Sequence, residues 1–448
     1  MSGNELFSTG PAVMSNGWAD SSSWDWEPGV RTIVDLSALE AEQTPVSEIC
    51  FSRDGEQTAW AAMTDEGEFR AWVNGQGWDQ SYDNLWSLRF TPDNRLLALV
   101  SSMGTWTLAL DGETWPEEYE YIWNLMLSRD GEVISAAIKK DGMYGMAVNG
   151  VDWPTMYPNA NGYTQSSDGS QNAAVVQTKP LDEGDIQTFR QGIYTVAVNG
   201  QAWEETYVNV WSPCCWENGT GVAATVRLSP TEYSIAVDGQ CWPQRYSGAW
   251  EPSFHPSDKS VVAPVRLGSQ WALARDGEII WPADFQQLWH QQIARNGTIA
   301  AIVAPRFGQF TVAKDGQSWT NTYPVVTDLV LHPDGSRAAA VGQGGLTLSN
   351  DVSQLSAQQW QVIVDDEPWS EWYDRVFPPV FSQDGQHVAV RAERSGRWTV
   401  LIDDRVYSRS FDRLWDPVFS PDGRKLLIKA LDGDKAVRIV ADLSEFGL

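Results

Sequence analysis

An Asn-Gly or Asp-Gly pair followed three or four residues later by tryptophan recurs along this chain at nearly constant spacing. The copies are Asn74-Gly75 with Trp78, Asp111-Gly112 with Trp115, Asn149-Gly150 with Trp153, and Asn199-Gly200 with Trp203. They continue with Asp238-Gly239 and Trp242, Asp276-Gly277 and Trp281, and Asp315-Gly316 and Trp319. Two degenerate copies follow, Asp365-Asp366 before Trp369 and Asp403-Asp404 before Tyr407. Successive anchor aromatics are separated by 37, 38, 50, 39, 39, 38, 50 and 38 residues. A period of this size marks a solenoid, propeller or array, because each unit is too small to bury its apolar face alone.

Three further aromatic columns travel with the anchor. Nine or ten residues before it stand Phe69, Trp106, Tyr144, Tyr194, Tyr233, Trp271, Phe310, Trp360 and Trp398. Four after it stand Tyr82, Tyr119, Tyr157, Tyr207, Tyr246, Phe285, Tyr323, Tyr373 and Phe411. Eight after it stand Trp86, Trp123, Trp211, Trp250, Trp289, Phe377 and Trp415. The columns hold 18 of the 25 tryptophans, so most of the tryptophan is architecture. Aromatics that recur in every unit are read as blade packing rather than as a sugar platform or an electron path, since each buries about 150–250 Å².

Between the first column and the anchor lies a short alternating run, such as Trp106-Thr107-Leu108-Ala109-Leu110. Runs of this kind closed by Asn-Gly or Asp-Gly predict hairpins, because those turns need positive φ. A second strand-and-turn element recurs as Phe51-Ser52-Arg53-Asp54-Gly55, Phe381-Ser382-Gln383-Asp384-Gly385 and Phe419-Ser420-Pro421-Asp422-Gly423. Each is followed by a small apolar run such as Ala338-Ala339-Ala340-Val341. Aromatics at 0, +4 and +8 also fit one helix face, but the density of turns and β-branched residues decides for strands. The Phe-Ser-Pro-Asp-Gly element resembles the repeats of TolB-like and WD40-like β-propellers over about residues 30–446. The expectation is an all-β propeller domain over 29–448, built of about ten units of roughly 38 residues with about four strands each, the size of a propeller blade. They form one large ring or two smaller ones. The similar runs Val30–Leu36 and Ala436–Leu443 suit a ring whose ends meet, which removes exposed sheet edges.

Composition narrows function by exclusion. The net charge of -28 argues against nucleic acid and anionic membranes, where basic patches carry affinity, and leaves room for basic partners. Cys50, Cys214, Cys215 and Cys241 show no C-x-x-C spacing, so they read as structural thiols rather than as a disulfide, zinc or iron–sulfur framework. No apolar window approaches a membrane span, and the residues after Met1 lack a signal-peptide pattern, which together predict a cytoplasmic location. His255 and His332 occupy equivalent repeat positions, His387 lies one strand beyond such a turn, and His290 follows Trp289. No phosphate loop, nucleophile elbow or metal-binding histidine motif is present. The repeated aspartates sit in turns, where they cap the backbone. Ser52-Arg53-Asp54-Gly55 places its glycine one residue too early for a sialidase-type box. No catalytic, cofactor-binding or metal-binding residue is assigned.

Two insertions, 178–192 and 342–359, interrupt the repeat and account for the 50-residue steps. Both read as long loops, either on a binding face or as tolerated surface insertions. The polar segment 1–28 carries Trp18, Trp24 and Trp26 outside the columns. It either packs back on the ring or docks on a partner, and docking through these three tryptophans is the expectation, since Trp is a favoured interface anchor.

The acidic, tryptophan-rich repeats, with units such as Ala147-Val148-Asn149-Gly150-Val151-Asp152-Trp153 and Ala197-Val198-Asn199-Gly200-Gln201-Ala202-Trp203, resemble one particular family. It is the tryptophan-rich subunit (TmcD) family of the transmembrane tetrahaem cytochrome c complexes of sulfate-reducing bacteria. That resemblance spans nearly the whole chain and rests on repeat style and composition. It implies a non-catalytic, cofactor-free subunit at the cytoplasmic side of a membrane-bound respiratory complex. Its partners would be an iron–sulfur subunit, a membrane cytochrome b subunit and, indirectly, a multihaem cytochrome c. The alternatives are a free interaction propeller, a glycan-binding module, or a hydrolytic propeller with a polar constellation in its channel.

Overall fold

The computed structural model describes residues 21–344 and 359–448, apart from 48, 181–187, 189, 191 and 218. Ten antiparallel sheets follow one another along the described chain, joined by turns and by 3-10 turns such as Leu36–Ala38. The blades span residues 50–77, 84–114, 121–152, 159–202, 209–241, 248–285, 287–318, 326–368, 375–406 and 413–442. Each is a meander. Blade 2, for example, runs Asn84–Phe90, Leu96–Ser102, Thr105–Leu110 and Glu113–Thr114.

The first strands of neighbouring blades meet around the centre, and the short fourth strands lie exposed at the rim. Second and third strands carry the small and branched residues that stack blade on blade, such as Ala98, Leu108 and Ile138. All ten blades form one ring. Blade 10 closes on blade 1 through Phe51, Val34, Trp60 and Ala436, with Trp415 packed on Phe51 at 4.7 Å. The two similar runs pair with each other. Gly29–Asp35 is the outer strand of blade 10, in antiparallel register from Gly29↔Val440 to Asp35↔Lys435.

The turn chemistry explains the anchor motif. Asn74, Asp111, Asn149, Asn199, Asp238, Asp276 and Asp315 all have φ between 46° and 49°, the left-handed region that Asn and Asp tolerate best. Each side chain also accepts the first N–H of its own blade's second strand, as Asp276 Oδ1 does from Val261 N at 2.8 Å. Next to the turn, the anchor tryptophan of one blade lies under the turn glycine of the next: a Cβ on Gly200 would stand 3.0 Å from Trp153. The tyrosine four residues on completes the clasp. Tyr157, Tyr207 and Tyr246 hydroxyls donate to the carbonyls of Gly200, Gly239 and Gly277 at 3.0–3.1 Å.

The second turn follows the same logic. Ser52 Oγ donates to Asp54 Oδ1 at 2.6 Å and accepts Gln57 N at 2.9 Å. In two blades histidine takes the serine's place: His255 Nδ1 accepts Ser257 N at 3.2 Å, and His332 Nδ1 lies 2.7 Å from Asp334. Both are repeat-position residues. His387 Nδ1 sits 2.6 Å from the turn residue Asp403.

Candidate interaction surface

The column eight residues after the anchor behaves differently from the anchor itself. It lies on the first strand of each blade, and in six blades the residue after it has positive φ: Ser87, Asn124, Gly162, Ser212, His290 and Asp328. The ladder slips there, as between Trp86 and Arg89. In three other blades the strand is broken instead by Pro252, by Pro378 and Pro379, or by Pro417. A bulge re-aims the side chain beside it. Here the column residue stacks on its own blade's third strand, at the end of the ring where first and third strands begin. Trp86 lies 4.5 Å from Trp106, Trp250 5.7 Å from Trp271 and Phe377 5.2 Å from Trp398.

The stack leaves the column's outer faces open. Trp86, Trp211 and Trp250 are 50%, 37% and 51% exposed, unlike the anchors Trp153 and Trp242 at 5% and 6%. Met103 and Phe307, in the turns between second and third strands, stand out at 96% and 92%. Met63, Tyr121, Leu267 and Val325 are exposed at the same end. Of the other exposed large apolar side chains, Val151, Ile279, Ile280 and Val406 lie on outer fourth strands and Val30 on the outer strand of blade 10. One end of the ring is therefore the apolar end.

Blades 4 and 8 lack the column aromatic, having Asn161 and Thr327 in its place. They are also the two blades with insertions, each between the second and third strand, so both insertions leave the ring at the apolar end. Most of 178–192 and 342–359 falls outside the described residues.

Trp18 also lies outside them. Trp24 and Trp26 stack at 6.1 Å and are partly buried. Their backbone is held at the ring closure, away from the apolar end: Lys425 Nζ donates to Trp26 O at 2.8 Å and Arg438 to Asp25 O. Arg438, 3% exposed, also donates to Asp54 O at 2.8 Å, so segment and closure share one cation. The described residues Asp25 and Trp26 are held on the ring by these bonds, and the apolar end is built from the column residues read above as blade packing. The available signal was the Ser, Asn or His directly after a tryptophan inside a strand run, at Ser87, Asn124, Ser212 and His290, which marks the bulge.

Chemistry-bearing groups are dispersed. The four thiols are free, and burial pushes Cys50 and Cys215 up to about 12. On the inner strands of blades 6, 7 and 8 stand Glu251, His290 and Asp328, with Glu251 and His290 3.6 Å apart. Burial raises the Asp328 carboxyl above its usual range. A hollow of about 390 Å³ between blades 4 and 5 is lined by Glu205, Tyr207, Cys241 and Arg245. Among the described residues no group of three His, Cys, Asp or Glu could hold a metal, and no helix is long and apolar enough to cross a membrane.

No sequence-family model and no curated protein matches the chain. Several solved structures resemble it distantly. A eukaryotic initiation factor is 11% identical with a TM-score of 0.45, over 76% of this chain and 90% of that one. The Dos1 propeller is 11% identical with a TM-score of 0.33, over 93% and 95%. TolB from Acinetobacter baumannii is 14% identical with a TM-score of 0.29, over 60% and 63%. The chain is a ten-bladed β-propeller.

Proposed function

We propose that this propeller is a non-catalytic interaction scaffold that binds partner protein through the apolar end of the ring. The observation that carries the reading is the gathering of half-exposed tryptophans with Met103 and Phe307 at that one end. Exposed apolar surface concentrated at one end of a fold is the kind that interaction sites use. The finer proposal is that the partner is an iron–sulfur subunit of a membrane-associated respiratory electron-transfer complex, oriented next to a cytochrome b subunit at the cytoplasmic face. Its support is the resemblance of the Ala-Val-Asn-Gly-x-x-Trp units and the acidic composition to such a subunit. The test is a mild-detergent pull-down of the tagged chain from native membranes, with haem and iron assays. Co-purification with haem and iron–sulfur subunits, while the isolated chain stays colourless, is the expected result. Recovery of the chain alone from the soluble fraction overturns the redox-complex role.

A further inference from the structure

The apolar end is not uniform in charge, and the difference identifies one stretch of it. In blades 5, 9 and 10 an arginine of the chain itself lies over an aromatic ring. Arg227 lies over Tyr233 at 5.6 Å, Arg391 over Phe377 at 3.9 Å, Arg394 over Tyr373 at 4.4 Å and Arg413 over Trp415 at 5.6 Å. Blade 3 has lysines over Tyr144 and Tyr119, each at 5.8 Å, whereas the exposed rings of blade 2 carry no such cation. Trp86 and Trp106 continue through Tyr121, 5.9 Å from Trp106, to Trp123, a further 5.5 Å on, with no lysine or arginine of the described chain placed over Trp86, Trp106 or Tyr121. The carboxylates there are also unmatched. Asp83 accepts Met103 N at 2.7 Å and Glu118 accepts Thr105 Oγ1 at 2.8 Å, and neither forms an ion pair among the described residues. The wider setting has the same sign: residues 36–247 hold 29 acidic and 11 basic side chains, against 25 and 19 in 248–448.

We propose that the aromatic stretch of blades 2 and 3 around Trp86 and Tyr121 docks a basic segment of a partner protein. A lysine or arginine of that segment lies over the tryptophan face, its charge met by Asp83 and Glu118 and its aliphatic stem resting on Met103. Ring faces attract cations through their quadrupole, most strongly for tryptophan, and the neighbouring carboxylates add to the same field. This partner chemistry rests on the apolar end being the interaction face.

The experiment uses the full chain and a fluorescent peptide of alternating arginine and leucine, followed by anisotropy at physiological salt. Its counterpart has citrulline for arginine, which keeps the shape and loses the charge. The arginine peptide binds at least about tenfold tighter than the citrulline peptide, and Trp86→Ser with Tyr121→Ser removes about tenfold of that affinity. Asp83→Asn with Glu118→Gln, which keeps the hydrogen-bond acceptors, narrows the difference between the two peptides. Trp250→Ser, equally exposed but on blade 6, leaves binding unchanged, and unaltered melting of all variants shows that the ring is intact. Equal binding of both peptides, or no loss with Trp86→Ser and Tyr121→Ser, overturns the proposal. If those two variants still release partner subunits in the membrane pull-down, the apolar end survives as the interface and its basic partner does not.

Discussion

Replacing Lys429 with methionine should stabilise the ring, by an amount that depends on pH. Lys429 stands on the second strand of blade 10, 8% exposed, directly across from the equally buried Arg438. Its ammonium has the Arg53 carbonyl at 3.4 Å, the long limit of a hydrogen bond. Burial opposes the charge most; Asp416 and Asp54 favour it, Arg53 and Arg391 oppose it, and the pKa falls from 10.5 to about 8. The unfolded chain therefore holds this proton more tightly than the folded one. The penalty is complete below about pH 8 and fades as pH rises towards the unfolded value. With those two pKa values, linkage gives a penalty of about 3 kcal/mol near pH 7 and about 1.5 kcal/mol near pH 9.5. Methionine has a similar length and no charge, and it removes the penalty while filling the space. Urea midpoints of both proteins across this pH range measure the difference, in which all other titrating groups cancel. The variant should be the more stable, by a margin that halves between about pH 7 and pH 9.5. A destabilised variant, or a margin independent of pH, would refute the reasoning and mean that Asp416 satisfies the ammonium.

Other substitutions separate the roles of the columns. Trp242→Ala, at a buried anchor, should lose about 3–5 kcal/mol in urea unfolding, whereas Trp250→Ala at the apolar end should lose under about 1.5 kcal/mol. Asp276→Ala removes the acceptor for Val261 N and places alanine at φ 47°, with an expected loss of about 2 kcal/mol; Asp276→Asn should retain most of it. Tyr246→Phe deletes the hydroxyl bonded to Gly277 O between blades 5 and 6, and should lower stability by about 1 kcal/mol in the same assay.

Ring architecture was readable because its determinants are local. An Asn-Gly turn, the tryptophan behind it and the tyrosine four residues later each make their contact within a blade or with its neighbour, so periodicity alone exposes them. Asp111 shows this: its turn conformation and its bond to Leu96 N both lie within a separation of 15 residues. The surface was less legible. Trp86 and Trp78 belong to equally regular columns, yet one is half exposed and the other buried, because a single left-handed residue, Ser87, redirects the strand. Closure was legible as similarity of two runs, but not the cations that secure it. Arg438 and Lys429 sit where blades 1–8 carry apolar or small residues, and their partners lie almost 400 positions away. The four histidines were legible as repeat or strand residues, and the approach of His290 to Glu251 was not, since it depends on the bulge of blade 7 meeting the Pro252 break of blade 6.

The outer strand of the last blade comes from the start of the chain, and this fixes an order of events during synthesis. Nine blades are contiguous meanders, so each can pair its own strands as soon as its 28 to 44 residues have left the ribosome. Gly29–Asp35 has no such neighbour and must wait for Lys435–Asp442. At about 5–20 residues per second that delay is roughly 20–80 s, during which the early strand keeps an unpaired edge. A nascent chain halted before residue 435 is an open arc, with the flank of blade 1 (Phe51, Trp60 and Ala62) uncovered. Chaperones that recognise bare apolar flank have a substrate until the final strand arrives, and none afterwards.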